Sequence, residues 1–486
     1  MGLRKNMTHL LVYQVLTWVV TFLFLIVGPR KLGADAMGAF GYSVAYVGFF
    51  QLVAGLGTNA LLIRDVARDR TMISQLVYNA VLLKVATSII VPVIGISFAY
   101  AIGNRGDRMT LIVLGFFAMA FATTAEVAFG ALGGMEIIAK PAFLGVVQLY
   151  IANGIGVLAI ILGYDVIVYG AIVTFAAFVP LVASFAMLRP YVHRPMHYDR
   201  RIMRHLLRDG VPLMTLTVLN AIYGTIDVPI LGAITTDTEV GWYTVAYRWV
   251  GIPIFITTAV VTSYFPRFSA HGAPMTPEFP RYVNQAVRIV MLAAVPCSIG
   301  LGMVADDLVR LVYEPEFYNS TVLIQILSFH IPLAAMDTVL ATALIAANRQ
   351  RRYLYVSLMA AALNPIACVL LIHWADSRYG NGAIGAALVT VATELFILIG
   401  ALRLRTTGVL DWATTRNLGL ILLAGGAMVP VLIVGGSLPL IVQVALGAAT
   451  YPIALLLFRA VSLDEIRRLI ASSPLGRGRQ VPEKID

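Results

Sequence analysis

The sequence predicts an all-α polytopic membrane protein, with about fourteen transmembrane helices. Two six-helix parallel repeats are expected around a central cavity, with two extra C-terminal helices. Three observations carry this expectation. Of the 486 residues, 59% are hydrophobic and only 12% charged, and mean hydropathy is +0.85; a soluble domain carries about twice that charged fraction. Apolar runs follow one another from end to end, each near the roughly 20 residues that span a bilayer core as a helix. Short segments also recur at a nearly fixed displacement. The first observation excludes a soluble enzyme, a disordered chain and a disulfide scaffold. It also excludes an outer-membrane barrel, whose strands give a far weaker hydropathy signal. Cys297 and Cys368 lie far apart in apolar segments and read as packed thiols.

The expected spans lie near residues 8–28, 38–63, 73–102, 109–133, 137–163, 165–188, 211–234, 240–265, 283–305, 321–347, 353–373, 380–402, 417–435 and 437–458. The run from 8 to 28 ends in Gly28-Pro29-Arg30-Lys31, without a signal-peptide cleavage pattern, so it reads as a span. The net charge of +10 belongs to loops rather than to a nucleic-acid partner. With the N-terminus cytoplasmic, the loops on that side, counting Lys140 at the edge of the fifth span, hold 26 of the 35 Lys and Arg and the opposite loops hold 6. Cationic loops stay cytoplasmic, so both termini are expected there, in a prokaryotic cytoplasmic membrane.

The repeat is visible in Tyr42-Ser43-Val44-Ala45-Tyr46 and Tyr243-Thr244-Val245-Ala246-Tyr247, 201 residues apart. Gln14, Thr17 and Thr21 of the first span match Thr217, Asn220 and Gly224 of the seventh at 203, as Arg64 matches Arg267. The expected division is a six-helix lobe over 1–190, a basic cytoplasmic linker over 191–210, a second lobe over 211–405, helices 13 and 14 over 406–460, and a tail over 461–486. An even number of helices per repeat gives both lobes the same orientation, related by an axis along the membrane normal. The linker region carries six arginines and His193, His197 and His205. Pro195 interrupts the histidine spacing and no Cys joins it, so the segment reads as amphipathic on anionic lipid rather than as a metal site. The tail from Ser462 reads as a short interfacial helix. No GxxxxGK[ST], HExxH, CxxC or GxSxG motif occurs, so neither a built-in ATPase nor a catalytic centre is expected, and no cofactor.

Charges inside spans cost about 2.5–3.5 kcal/mol each at the bilayer centre and must face protein or water. They are Lys84, Glu126, Asp227, Arg248, Arg288, Asp337 and Glu394. Arg288 is near enough to a span end to snorkel. Lys84 lies mid-span beside Thr87 and Ser88, and Arg248 lies one turn below Thr244. Two readings stand for both: structural pairing, or lining a cavity that binds an anion. Thr217, Asn220, Tyr223, Gly224 and Asp227 share one helical face. That stripe is either a hydrogen-bonded helix contact or a cavity wall matching the stripe that holds Thr17.

These patterns bring a known group into view. Leu32-Gly33, Phe40-Gly41-Tyr42, Gly55-Leu56-Gly57, Gly210-Val211-Pro212, Ile226-Asp227, Tyr264-Phe265-Pro266-Arg267 and Glu316-Phe317-Tyr318 together resemble the polysaccharide-biosynthesis flippases. These are Wzx-type proteins of the multidrug/oligosaccharidyl-lipid/polysaccharide exporter superfamily. The resemblance covers residues 1–460 and implies transbilayer movement of a polyprenyl-pyrophosphate-linked oligosaccharide by alternating access. It also implies membrane lipids around the chain, with a polysaccharide polymerase and glycosyltransferases as partners. The expected cavity residues are Lys84, Arg248, Asn220, Tyr223, Asp227 and Thr17, and the expected ion-coupling residues are Asp227, Glu126 and Asp337. An Asp227–Arg248 ion pair, released by substrate, is one form this takes. A cation-coupled drug antiporter and a lipid II flippase are the alternatives.

Overall fold

The computed structural model describes residues 3–461 apart from 138, 194 and 195; side chains are described except at 3–16, 18, 216, 220 and 223. The expected tail helix lies outside the described residues, as do the side chains of Asn220 and Tyr223. The described elements are helices. In chain order they are α1 (Leu3–Gly55), α2 (Thr58–Arg68), α3 (Ile73–Ala101), α4 (Gly106–Gly134) and α5 (Ala139–Leu149). A π turn (Tyr150–Ile155) links α5 to α6 (Gly156–Ile161), and α7 (Val166–Leu188) follows. Then come α8 (Arg200–Thr225), α9 (Asp227–Ile234), α10 (Asp237–Gly272), α11 (Glu278–Met303), α12 (Ala305–Val312) and α13 (Ser320–Ser328). The series ends with α14 (His330–Ala346), α15 (Gln350–Tyr379), α16 (Gly382–Leu404), α17 (Trp412–Gly426), α18 (Met428–Val434) and α19 (Leu440–Leu457).

Among the described residues, twelve helices are long and apolar enough to cross a membrane. Fourteen spans were expected, and the two counts differ at two places. The first two expected spans run together as α1, bent at Gly33, where φ is 85°; only glycine adopts that conformation without strain. The seventh expected span is divided at Ile226 into α8 and α9 and is not among the twelve. A further break at Leu56-Gly57, both with positive φ, ends α1 before the expected boundary at residue 63. The expected linker also differs: residues 200–210 already form the first turns of α8. Ile202 and Leu206 bury their side chains among Leu61, Val66, Leu76 and Ala131. The apolar face assigned to lipid therefore packs on protein.

Cα packing divides the chain into two compact units. The first holds residues 1–248, 309–323 and 357–393, and the second holds 249–308, 324–356 and 394–486. The first unit takes in the whole N-terminal repeat. Its helices pack closely through small residues: a Cβ on Gly134 would lie 2.7 Å from Cβ of Val66, and one on Gly130 2.9 Å from the Asn59 carbonyl oxygen. In the second unit α17 and α19 pack on α11. A Cβ on Gly425 would lie 2.5 Å from Val295, and the Tyr451 hydroxyl donates to the Leu292 carbonyl at 3.1 Å.

Candidate functional site

Asp227 opens α9 at the break in the seventh expected span and is buried. Its Oδ2 accepts from the Tyr243 hydroxyl and, at 3.1 Å, from Thr390 Oγ1; its Oδ1 accepts from the Val228 amide at 3.0 Å. Asn364 Nδ2 donates to Thr393 Oγ1 at 2.9 Å, and Cys368 Sγ donates to Asn364 Oδ1 at 3.5 Å. Helices α9, α10, α15 and α16 thus carry a row of oxygen-bearing side chains, buried at Asp227, Tyr243 and Asn364 and half-buried at Thr390 and Thr393. Discontinuous helices of this kind gather polar groups where a transporter binds ions or substrate. Asp227 is held by hydroxyls and an amide, not by Arg248, so the expected ion pair is absent in this conformation. A hydroxyl-lined apolar bundle needs no counter-charge to fix the carboxylate's geometry, and Tyr243 reaches it from one turn along α10.

Arg248, farther along α10, has its guanidinium 4.9 Å from the ring centre of Phe24, a cation–π contact. Tyr169 stacks on Phe24 at 4.6 Å and is held by its hydroxyl to Asn153 Oδ1 at 3.2 Å. Tyr313 donates to the Leu25 carbonyl at 3.0 Å. No carboxylate forms an ion pair with Arg248 among the described residues.

Lys84 is fully buried, and its ammonium donates to the carbonyls of Ala54 at 3.0 Å and Gly55 at 2.6 Å. These carbonyls end α1, where the left-handed Leu56 and Gly57 leave them without helical partners. Lys84 therefore caps a helix in this conformation, with Glu126 as the nearest opposing charge. Lys84 and Arg248 are not brought together, and neither lines the cavity of about 240 Å³ between α1, α4 and α7, whose polar lining is Ser43, Gln51, Gln148 and Thr174. Thr17 offers its carbonyl to Thr21 Oγ1 at 2.9 Å within α1.

Asp337 lies in the second unit and accepts from the Tyr353 hydroxyl at 3.0 Å; His330 Nδ1 lies 3.9 Å from Glu394 there. No group of three or more metal-ligating side chains occurs among the described residues. Sequence reading missed Tyr243 and Thr390 as partners of Asp227. The Tyr-x-Val-Ala-Tyr repeat marked Tyr243, but nothing local pointed to Thr390, which is far away in the chain. It also missed the pair of Arg108 with Asp237, at 2.8 Å from Nε.

Helices long and apolar enough to cross a membrane, with ionisable side chains turned into the bundle, define a multi-pass membrane protein. The chain belongs to the polysaccharide biosynthesis protein family, whose model matches residues 3–271. A second model, MatE, matches residues 212–370. A probable low-salt glycan biosynthesis flippase of Haloferax volcanii is 22% identical over 395 residues, 80% of each chain. Among solved structures, the lipid II flippase MurJ in an inward closed conformation aligns with a TM-score of 0.76 at 14% identity, over 95% of this chain and 100% of that one. An inward-facing multidrug resistance MATE transporter aligns at 0.61 and 15% identity, over 80% and 94%. At these identities both likenesses concern the fold.

Proposed function

We propose that the protein is a flippase that carries a polyprenyl-pyrophosphate-linked oligosaccharide across the cytoplasmic membrane for cell-surface glycan assembly. The family and the glycan flippase relative support the class of cargo. The observation that carries the reading is Arg248, a guanidinium within the bundle that has aromatic neighbours and, among the described residues, no carboxylate in an ion pair with it. A buried cation without a counter-charge is costly, and a diphosphate with an apolar tail supplies both the anion and the surface that aromatic rings accept. Lys84 joins the site only in a conformation that frees it from the Ala54 and Gly55 carbonyls. Asp227, ringed by hydroxyls, is the coupling residue for a proton or Na⁺; Glu126 and Asp337 are further ones. From their place in the sequence stripes, Thr17, Asn220 and Tyr223 are assigned to cargo binding as well. Both termini are cytoplasmic, the lobes follow the repeat boundaries, and a polymerase and glycosyltransferases act before and after this step.

The MatE match, the buried Asp227 and Asp337 and the half-buried Glu394 favour a second reading, a cation-coupled exporter of small molecules. A flippase-deleted strain complemented with the wild-type gene and with Arg248→Ala separates the two. Surface glycan restored by the wild type and lost in the variant at equal abundance supports the first reading. Drug efflux without glycan rescue supports the second.

A further inference from the structure

The cavity of about 240 Å³ lies within the first unit, and its walls are mainly apolar, with Val47, Leu114 and Met119 among them. Among the described residues no charged side chain lines it. Of its polar side chains, Ser43 and Thr174 spend their hydroxyls on main-chain carbonyls, at 2.7 Å to Ala39 and 2.9 Å to Gly170. The half-buried carboxamides of Gln51 and Gln148 have no hydrogen-bond partner among the described residues. Polar groups that converge in an apolar cavity without pairing one another are the ordinary make-up of a small-molecule site. Gly48 stands in the same wall, and a Cβ there would meet nothing within 4 Å.

The cavity borders the rings around Arg248. Phe40 belongs to its lining and packs edge-on against Tyr169 at 5.0 Å and Phe24 at 6.4 Å. The Arg248 guanidinium is 4.9 Å from the Phe24 ring centre, so one ring separates the cation from the cavity wall. The π turn that begins two residues after Gln148 carries Asn153, which holds the Tyr169 hydroxyl at 3.2 Å. Single π turns inside α-helices are frequent at functional sites.

We propose that this cavity is a sugar subsite for one acetamido sugar, the ring next to the diphosphate, and that Gln51 and Gln148 determine that specificity. The volume is below the roughly 300–1,000 Å³ of sites for drug-sized ligands, so it takes one ring and not an oligosaccharide. Its neutral lining rejects the diphosphate and any charged sugar, because an anion buried without a counter-charge is costly. A carboxamide both donates and accepts. The two glutamines therefore satisfy the carbonyl and the N–H of an acetamido group together, while its methyl packs on the apolar wall. A plain hexose replaces that group with a hydroxyl and leaves one glutamine unpaired. The chemistry of the cavity is independent of cargo; its place in transport rests on the flippase reading above.

The test compares methyl N-acetylglucosaminide with methyl glucoside by saturation-transfer NMR on the protein in nanodiscs. Neither probe carries phosphate. The first should bind roughly tenfold tighter than the second. Gly48→Leu, which fills open space, should abolish that preference. Gln51→Leu and Gln148→Leu should each reduce it, and they serve if Gly48→Leu fails to fold. Equal binding of the two glycosides by the wild type overturns the subsite, as does a full preference in folded Gly48→Leu or in both glutamine variants. So does a Gly48→Leu protein that loses a co-purifying phospholipid and keeps the preference, which would assign the cavity to lipid. Farnesyl diphosphate and its N-acetylglucosamine conjugate then test the link to transport. The wild type should bind the conjugate roughly tenfold tighter than farnesyl diphosphate, and Gly48→Leu should bind the two alike. A wild-type protein that prefers the acetamido glycoside but binds neither diphosphate keeps the subsite and sinks the cargo reading instead.

Discussion

Lys84 and Arg248 look alike in the sequence, each a cation inside an apolar span, yet their surroundings differ. Lys84 satisfies two helix-end carbonyls. Lys84→Met should leave the Gly55 carbonyl to Thr58 Oγ1 alone and the Ala54 carbonyl to Thr87 Oγ1 alone, at 2.9 and 3.5 Å, cost about 1–3 kcal/mol in all, and lower the thermal midpoint of the purified protein. An unchanged midpoint would contradict the capping role. Arg248 faces rings instead of acids, so its removal should cost cargo affinity more than stability. Arg248→Ala should weaken binding of a short-chain polyprenyl pyrophosphate roughly 10- to 100-fold, the worth of a hydrogen bond to a charged group. Arg248→Lys should keep part of it. Equal binding by Arg248→Ala and wild type would remove the residue from the site. At Asp227, the Asn variant keeps an acceptor for Tyr243 and Thr390 but loses the charge. It should fold and lose the dependence of transport on an ion gradient, and a retained dependence would place coupling elsewhere.

At the scale of elements, glycines decide how closely helices approach. Gly130 of α4 packs directly on α2, with the Asn59 backbone oxygen 2.9 Å from where a Cβ would stand. Gly130→Leu should force the helices apart at about 1–3 kcal/mol, seen as lower abundance and a lower melting midpoint. Asp411 caps α17 by accepting from the Thr414 amide at 2.8 Å. Hydrogen bonds from Thr414 hold its carboxyl below the ordinary carboxylate range. The cap is fully present above the ordinary value and is lost as pH falls through the depressed one. Asp411→Ala should cost about 1 kcal/mol at neutral pH and nothing once both forms are uncharged. Most helix ends were legible because polar and Gly/Pro residues punctuate the apolar runs. The break at Ile226 was not, because Ile announces no break, and at Leu56-Gly57 the glycine stands inside an apolar run that hides it.

At the scale of the whole molecule, hydropathy and the repeat made the helical membrane fold readable, and charge asymmetry gave an expected orientation. Asp227 and Arg248 stood out because charge inside a span has to be accommodated. Their partners did not: Tyr243, Thr390, Phe24 and Tyr169 come together only when distant helices pack. The reach of Lys84 to backbone carbonyls leaves no sequence mark at all. An accessible-thiol experiment with a single cysteine at Thr407, in the loop before α17, should give labelling only from the cytoplasmic side. Labelling from outside would reverse the orientation.

Transbilayer movement of a polyprenyl-pyrophosphate-linked oligosaccharide is the central matter. It is measured in proteoliposomes by the fraction of glycan that becomes open to an external glycan-cleaving enzyme. The wild-type protein should raise that fraction above empty vesicles, Arg248→Ala should return it to the empty-vesicle level, and Arg248→Lys should fall between. A wild-type protein that leaves the fraction at the empty-vesicle level, or an Arg248→Ala protein that matches the wild type, would contradict it.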